Sequence, residues 1–120
     1  MSFLEIAERV TNEGTLQVAF LIDEGGNVQW SHGQWPDLNP MDVVTAWQSN
    51  TTAITIGDLR FSVIDKGDDR FVGKSIAGGG VLILAKCLSW PGYLIAWAPN
   101  DVDVTLAYAE SARLANSVQS

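Results

Sequence analysis

The chain has 120 residues, 47% of them hydrophobic and 18% charged, the composition of one compact domain and not of a disordered tail. Seven Lys and Arg against fourteen Asp and Glu leave a net charge of −7, which repels phosphate backbones and anionic bilayers and excludes nucleic acid as an expected partner. Cys87 is the only cysteine, so no disulfide can form within the chain; that usage suits a reducing compartment, and the apolar run Val81 to Cys87 makes it a small buried hydrophobe.

Ser2 followed by Glu5 has the form of a capping box, and Phe3, Ile6, Ala7 and Val10 recur at helical spacing, which predicts a first helix over about Phe3 to Thr11, opened by Met1-Ser2-Phe3. A strand is expected from Thr15 to Ile22, a turn at Asp23 to Asn27, and a second strand from Val28 to His32. Asn39 as cap and Pro40 at the first helical position begin a short helix that reaches toward Asn50 and carries Val43, Val44 and Trp47 inward. Ala53 to Ile56, a Gly57-Asp58 turn and Leu59 to Ile64 read as a hairpin. Arg70 to Ser75, Val81 to Cys87 and Tyr93 to Ala98 follow as strands. Asn100 can cap a last helix, with Asp101 and Asp103 in its first turn and Val104, Ala107, Ser111, Leu114 and Val118 as its inner stripe. Every link between strands after the short helix is too short for a crossover, so the fold class is α+β: one antiparallel sheet of about six to seven strands with the terminal helices against a face.

The chain lacks the equipment of an enzyme. It offers one histidine, His32, with no orienting carboxylate beside it, and no Cys/His cluster at metal spacing, so neither catalysis nor a metal or cofactor is expected. Asp65, Asp68 and Asp69 lack the spacing of a calcium loop and read as a solvated turn. Gly73, Gly78, Gly79 and Gly80 near Lys74 fit no phosphate-binding fingerprint. No apolar run is long enough to span a bilayer, and the start Met1-Ser2-Phe3-Leu4-Glu5 has neither a basic region nor an apolar signal core, which leads to the expectation of a soluble cytoplasmic protein. Charge is uneven: residues 60 to 86 hold five cations against three aspartates, +2, while the rest of the chain holds two cations against eleven carboxylates, −9.

The ordered set of motifs resembles the profilin family over nearly the whole chain. It comprises Met1-Ser2-Phe3, Val18 to Ile22, Gly25 to Trp30, Trp35 to Val43, Ile56 to Ile64, Phe71-Val72-Gly73-Lys74, Gly78 to Ile83, and Lys86. The resemblance implies a cytoskeletal protein that binds actin monomers, sequesters or delivers them and regulates filament assembly, itself a monomer near 13 kDa. Carried over by position, its actin-binding face would include Arg60, Arg70, Lys74, Lys86, Asp101, Thr105 and Tyr108, which overlaps the one basic segment.

The resemblance also implies a second site, for polyproline, between the terminal helices. Phe3 and Trp30 occupy its aromatic positions, but Ile6 replaces a ring, and Leu114 and Val118 close it without an aromatic. The pattern is that of an archaeal-type member with a reduced site, in which proline-rich proteins are weak partners. Phosphoinositides are weak at best, since three aspartates dilute the cations. A second, less extensive resemblance is to roadblock domains, dimeric regulators of small GTPases, through the first helix and Leu21 to Gly26. Their middle helix is longer than the span from Pro40 to Asn50. A structural or ligand-sensing domain of the same architecture is the third reading.

Overall fold

A computed structural model describes residues 2–49 and 51–119. Met1 at the opening of the first helix and Asn50 at the end of the short one therefore lie outside the described residues. Helix α1 runs over Phe3–Asn12 and starts as the sequence dictates: the Glu5 amide donates to Ser2 Oγ at 3.3 Å while the Ser2 amide donates to the Glu5 carboxylate at 3.3 Å. Two orphan helix donors are thereby satisfied reciprocally. The first strand begins later than its β-favouring residues suggest. The amides of Thr15 and Leu16 both donate back to the Val10 carbonyl, so this stretch closes the helix and places Leu16 fully in the core.

Strands β1 (Val18–Asp23) and β2 (Val28–His32) are followed by helix α2 (Pro40–Gln48), in which Asn39 Oδ1 accepts from the amides of Met41 and Asp42. Then come β3 (Ala53–Ile56), β4 (Leu59–Lys66), β5 (Arg70–Lys74), β6 (Val81–Lys86), β7 (Gly92–Ala98) and helix α3 (Val104–Asn116). The seven strands form one sheet in the order β2-β1-β7-β6-β5-β4-β3, antiparallel at every step. Strand β4 outruns its expected end by two residues because a bulge between Val63 and Asp65 inserts Ile64 without breaking the ladder to β5.

Alternation along the strands builds two cores. On one face Leu21, Val72, Val81, Ile83, Leu94 and Ala96 meet Ile6 and Val10 of α1 and Ala107, Leu114 and Ala115 of α3. On the other, Ile22, Phe61, Phe71, Leu82, Leu84 and Ile95 meet Val43, Val44 and Trp47 of α2. The terminal helices share a face as expected, and α2 covers the reverse. Small residues at Ala19, Ala96, Ala98 and Ala107, all fully buried or nearly so, let α3 lie close over β6 and β7.

The start of α3 corrects the sequence reading. Asp103, not Asn100, is its cap: Asp103 Oδ1 accepts from the amides of Thr105 and Leu106 at 2.8 and 3.2 Å. Residues 99 to 102 instead form a turn closed by the Val102 amide on the Pro99 carbonyl, so Asp101 precedes the helix. Two well-placed acceptors competed for one helix start, and the one adjacent to Val104 won.

Candidate partner-binding face

Because α3 rests on β6 and β7, its side of the sheet stays open over β4 and β5. Cross-strand partners point to the same face, which sorts the expected site residues. Lys74 pairs with Val81 and Arg70 with Ala85, and both partners lie in the core beneath α3. Ser62 pairs with Lys74. Arg60 neighbours Phe61, whose ring enters the α2 core, so Arg60 turns to the α3 side. Arg60, Arg70 and Lys74 thus share one face.

Lys86 does not join them. It pairs with Tyr93, a residue packed into the α2 core, and therefore emerges on the reverse of the sheet. Its position two residues beyond Leu84 in the strand fixes this parity.

Arg70 is on the expected face but is already spent. Its Nε and Nη2 donate to Asp65 at 2.7 and 3.2 Å, and its Nη1 donates to Asp69 at 2.8 Å. The Arg70 hydrogen bonds hold the Asp65 carboxyl below the usual carboxylate range, and the same bonds push the guanidinium pKa higher still. This local cluster has a net negative charge, so the basic face narrows to Lys74 and Arg60.

Lys74 borders a shallow depression of about 540 Å³ lined by Ser62, Ile64, Ser75, Ile76, Gly78 and Asn100. Asn100 brings the turn before α3 to this edge; Asp101 in that turn and Thr105 on α3 are exposed, and Tyr108 on α3 is half-buried against the α1–α3 core. Two apolar side chains escaped the sequence reading: Ile76 is 92% exposed and Ile64 is 55% exposed. The signal for Ile76 is its place in Ser75-Ile76-Ala77-Gly78, a loop with nothing to bury it. Ile64 is presented by the bulge, which alternation alone does not reveal.

The second expected site is only partly assembled. The Phe3 and Trp30 rings meet edge to face, centroids 5.1 Å apart, beside the exposed Leu4 and a depression of about 410 Å³ that also touches Glu8, Thr11 and His32. Leu114 is fully buried and Val118 is 8% exposed. Leu114 packs inward on α3, whereas Val118 lies two residues past the end of that helix, not on its stripe as expected, and packs into the same core; neither offers a surface to a ligand, which corrects their assignment. Cys87 is buried, and desolvation pushes its thiol up to about 11, away from reactive thiolate chemistry. Among the described residues no group of three His, Cys, Asp or Glu is placed to hold a metal ion.

No family model matches the chain. A Heimdall profilin from Heimdallarchaeota archaeon (strain LC_2) is 36% identical over 120 residues, 99% of each chain. Among solved structures, LokiProfilin2 in its complex with rabbit actin superposes with a TM-score of 0.78 at 16% identity, covering 96% of this chain and 95% of that one. Acanthamoeba castellanii profilin IB gives 0.74 at 11% identity, covering 97% and 94%. Human profilin II gives 0.63 at 16%, covering 90% and 91%. A fold shared end to end with these proteins, joined to more than a third of identical positions with one of them, makes this chain a member of the profilin family.

Proposed function

We propose that this profilin binds actin monomers and regulates filament assembly by sequestering or delivering them. The observation that carries the reading is the end-to-end likeness to a Heimdall profilin, reinforced by the fold shared with two Loki profilins solved in complexes with rabbit actin. The chain acts as a cytoplasmic, non-enzymatic monomer on the cytoskeleton. The partner face is the open α3 side of β4 and β5 with the turn before α3: Lys74 and Arg60 supply charge, Ile64 and Ile76 supply apolar area, and Asp101, Thr105 and Tyr108 border it. Aromatic and apolar anchors within a polar rim are what a protein interface needs. The roadblock alternative is not favoured: α2 has nine residues, and the family assignment points elsewhere.

The test is pyrene-actin assembly with the protein in excess. Slower spontaneous assembly, relieved about tenfold in required dose by Lys74→Glu, supports both the function and the face. Unchanged assembly with rabbit actin and with an archaeal actin would remove the reading.

A further inference from the structure

The loop that carries Ile76 is held from the far side of the sheet. Residues 75–80 join β5 to β6 and close on themselves: the Ser75 amide donates to the Gly80 carbonyl at 3.0 Å, and the Gly78 amide donates to the Ser75 carbonyl at 3.3 Å. The loop ends in Gly78-Gly79-Gly80, with φ +78° at Gly78 and +89° at Gly80. Glycine has the greatest backbone freedom of any residue, and two internal hydrogen bonds are a weak constraint on three in succession. Yet Ile76, almost wholly exposed, borders the depression it shares with Ser62, Ile64 and Lys74. An apolar anchor on a wandering loop would have to be ordered at each binding event, which lowers affinity.

The further constraint comes from Trp97. This residue pairs with Leu82, a member of the α2 core, and its own side chain packs against that core, so the indole lies on the reverse of the sheet. Its Nε1 donates to the Gly79 carbonyl at 2.8 Å. The Gly80 backbone lies against the same ring: a Cβ there would stand 2.7 Å from Nε1 and 2.8 Å from Cε2. Gly79 in turn leaves no room for a side chain between Leu59 and Ser75. The indole is itself buttressed, because Trp35 from the β2–α2 loop meets it edge to face at 6.3 Å between centroids and meets Phe61 at 6.0 Å. Water could satisfy a carbonyl at the half-buried Gly79, so the specific effect of this bond is on where the loop points.

We infer that Trp97 is a positioning residue for the partner face: from the opposite side of the sheet it selects the loop conformation in which Ile76 stands beside Ile64 and Lys74. The inference rests on the actin-binding reading for what Ile76 meets, and on the contacts of Gly79 and Gly80 for how it is held. Phenylalanine at position 97 keeps a ring in the core and removes the donor. The loop then samples other states, and apparent affinity falls with the fraction that remains competent.

Amide hydrogen exchange and actin binding are measured on the wild type, Trp97→Phe, Ile76→Ala and the double variant, with Trp47→Phe as control. The Trp47 indole also donates to a loop carbonyl, that of Gly67 at 3.0 Å, but at the opposite end of β5, so it reports the loss of an indole bond as such. Trp97→Phe should speed exchange of the Ser75 and Gly78 amides about tenfold and weaken actin binding about tenfold; Trp47→Phe should do neither. In the Ile76→Ala background Trp97→Phe should weaken binding no further, since the two residues act as one. Unchanged exchange at Ser75 and Gly78, additive losses in the double variant, or an equal effect of Trp47→Phe on this loop would each overturn the inference. A wild type that ignores actin would remove the function, and exchange alone would then decide whether Trp97 holds the loop.

Discussion

The Arg9 guanidinium donates to the Glu110 carboxylate at 2.6 Å and so ties α1 to α3 across 101 residues of sequence. Glu110 is 9% exposed in its side chain and Arg9 30%, and Arg113 stands 3.9 Å from the other carboxylate oxygen. A charge this deep needs its partner, because an uncompensated carboxylate pays the desolvation cost alone. Arg9→Ala should therefore lower unfolding stability by about 2 kcal/mol, less than for a fully buried pair because water and Arg113 reach the site. The double change Arg9→Met with Glu110→Met should recover most of that loss. Urea unfolding midpoints decide it: a double variant less stable than the single would show that the pair is worth more than apolar packing.

Acid should act on the β4–β5 hairpin through Asp65. The Arg70 hydrogen bonds lower its folded-state pKa, and an unfolded aspartate titrates near 3.9. A depressed carboxylate contributes stability that is complete above the unfolded value and is lost as pH falls through the folded one. Asp23, held down chiefly by the Asn27 amide, and Glu5, held down chiefly by the Ser2 hydroxyl, act in the same direction. The melting temperature should fall on acidification below about pH 4, with Asp65→Asn less stable at neutrality and less steep in acid. Parallel curves for variant and wild type would remove Asp65 from the account.

Gly80 occupies φ +89°, and a Cβ there would fall on the Ala98 carbonyl oxygen and the Trp97 indole. That indole donates to the Gly79 carbonyl at 2.8 Å, so the loop cannot swing aside without losing a bond. Gly80→Ala should cost roughly 2–4 kcal/mol. Gly78, at φ +78° but facing open space, should cost only about 1 kcal/mol as alanine. Thermal melts of both variants separate steric conflict from backbone strain; equal losses would mean that strain alone governs this loop.

Elements with a strong local signal were legible in the sequence: the Ser2 box, the Asn39-Pro40 start, the Ile56 to Leu59 hairpin, the inward Trp47. The features missed depend on register or on distant partners. Lys86 reads as one more cation of a basic segment, and only its pairing with Tyr93 turns it to the reverse face. Arg70 reads as free charge until its two aspartates fold around it. The start of α3 held two plausible caps, and Glu110 sits among residues with no sequence mark that Arg9 lies opposite. Leu114 was legible as an inward stripe position, and that same burial excludes it from a surface site.

Apolar contact should outweigh charge at the partner face. Ile76, 92% exposed, offers a full side chain to bury, worth about 1.5–3 kcal/mol. Ile76→Asp should then weaken actin binding at least tenfold while leaving the melting temperature unchanged, since the side chain supports no core. Binding isotherms at low and high salt should differ by only a few-fold, because few free cations remain to be screened. A steep salt dependence with a silent Ile76→Asp would return the interface to charge.

Lys74 and Arg70 share a face and a strand, yet they should behave differently in a binding assay. Lys74 makes no ion pair among the described residues, whereas Arg70 is clamped by Asp65 and Asp69. Truncating Lys74 removes charge that a partner carboxylate can meet, with no repair inside the protein. Truncating Arg70 releases two aspartates and disturbs the β4–β5 hairpin, so its effect should appear first as lost stability. Lys74→Ala should weaken actin binding several-fold at unchanged melting temperature, and Arg70→Ala should lower the melting temperature while binding, measured well below that temperature, shifts less. If Arg70→Ala abolished binding in a fully folded protein, the guanidinium would have to leave its carboxylates for the partner, and the clamp would be a latch that binding opens.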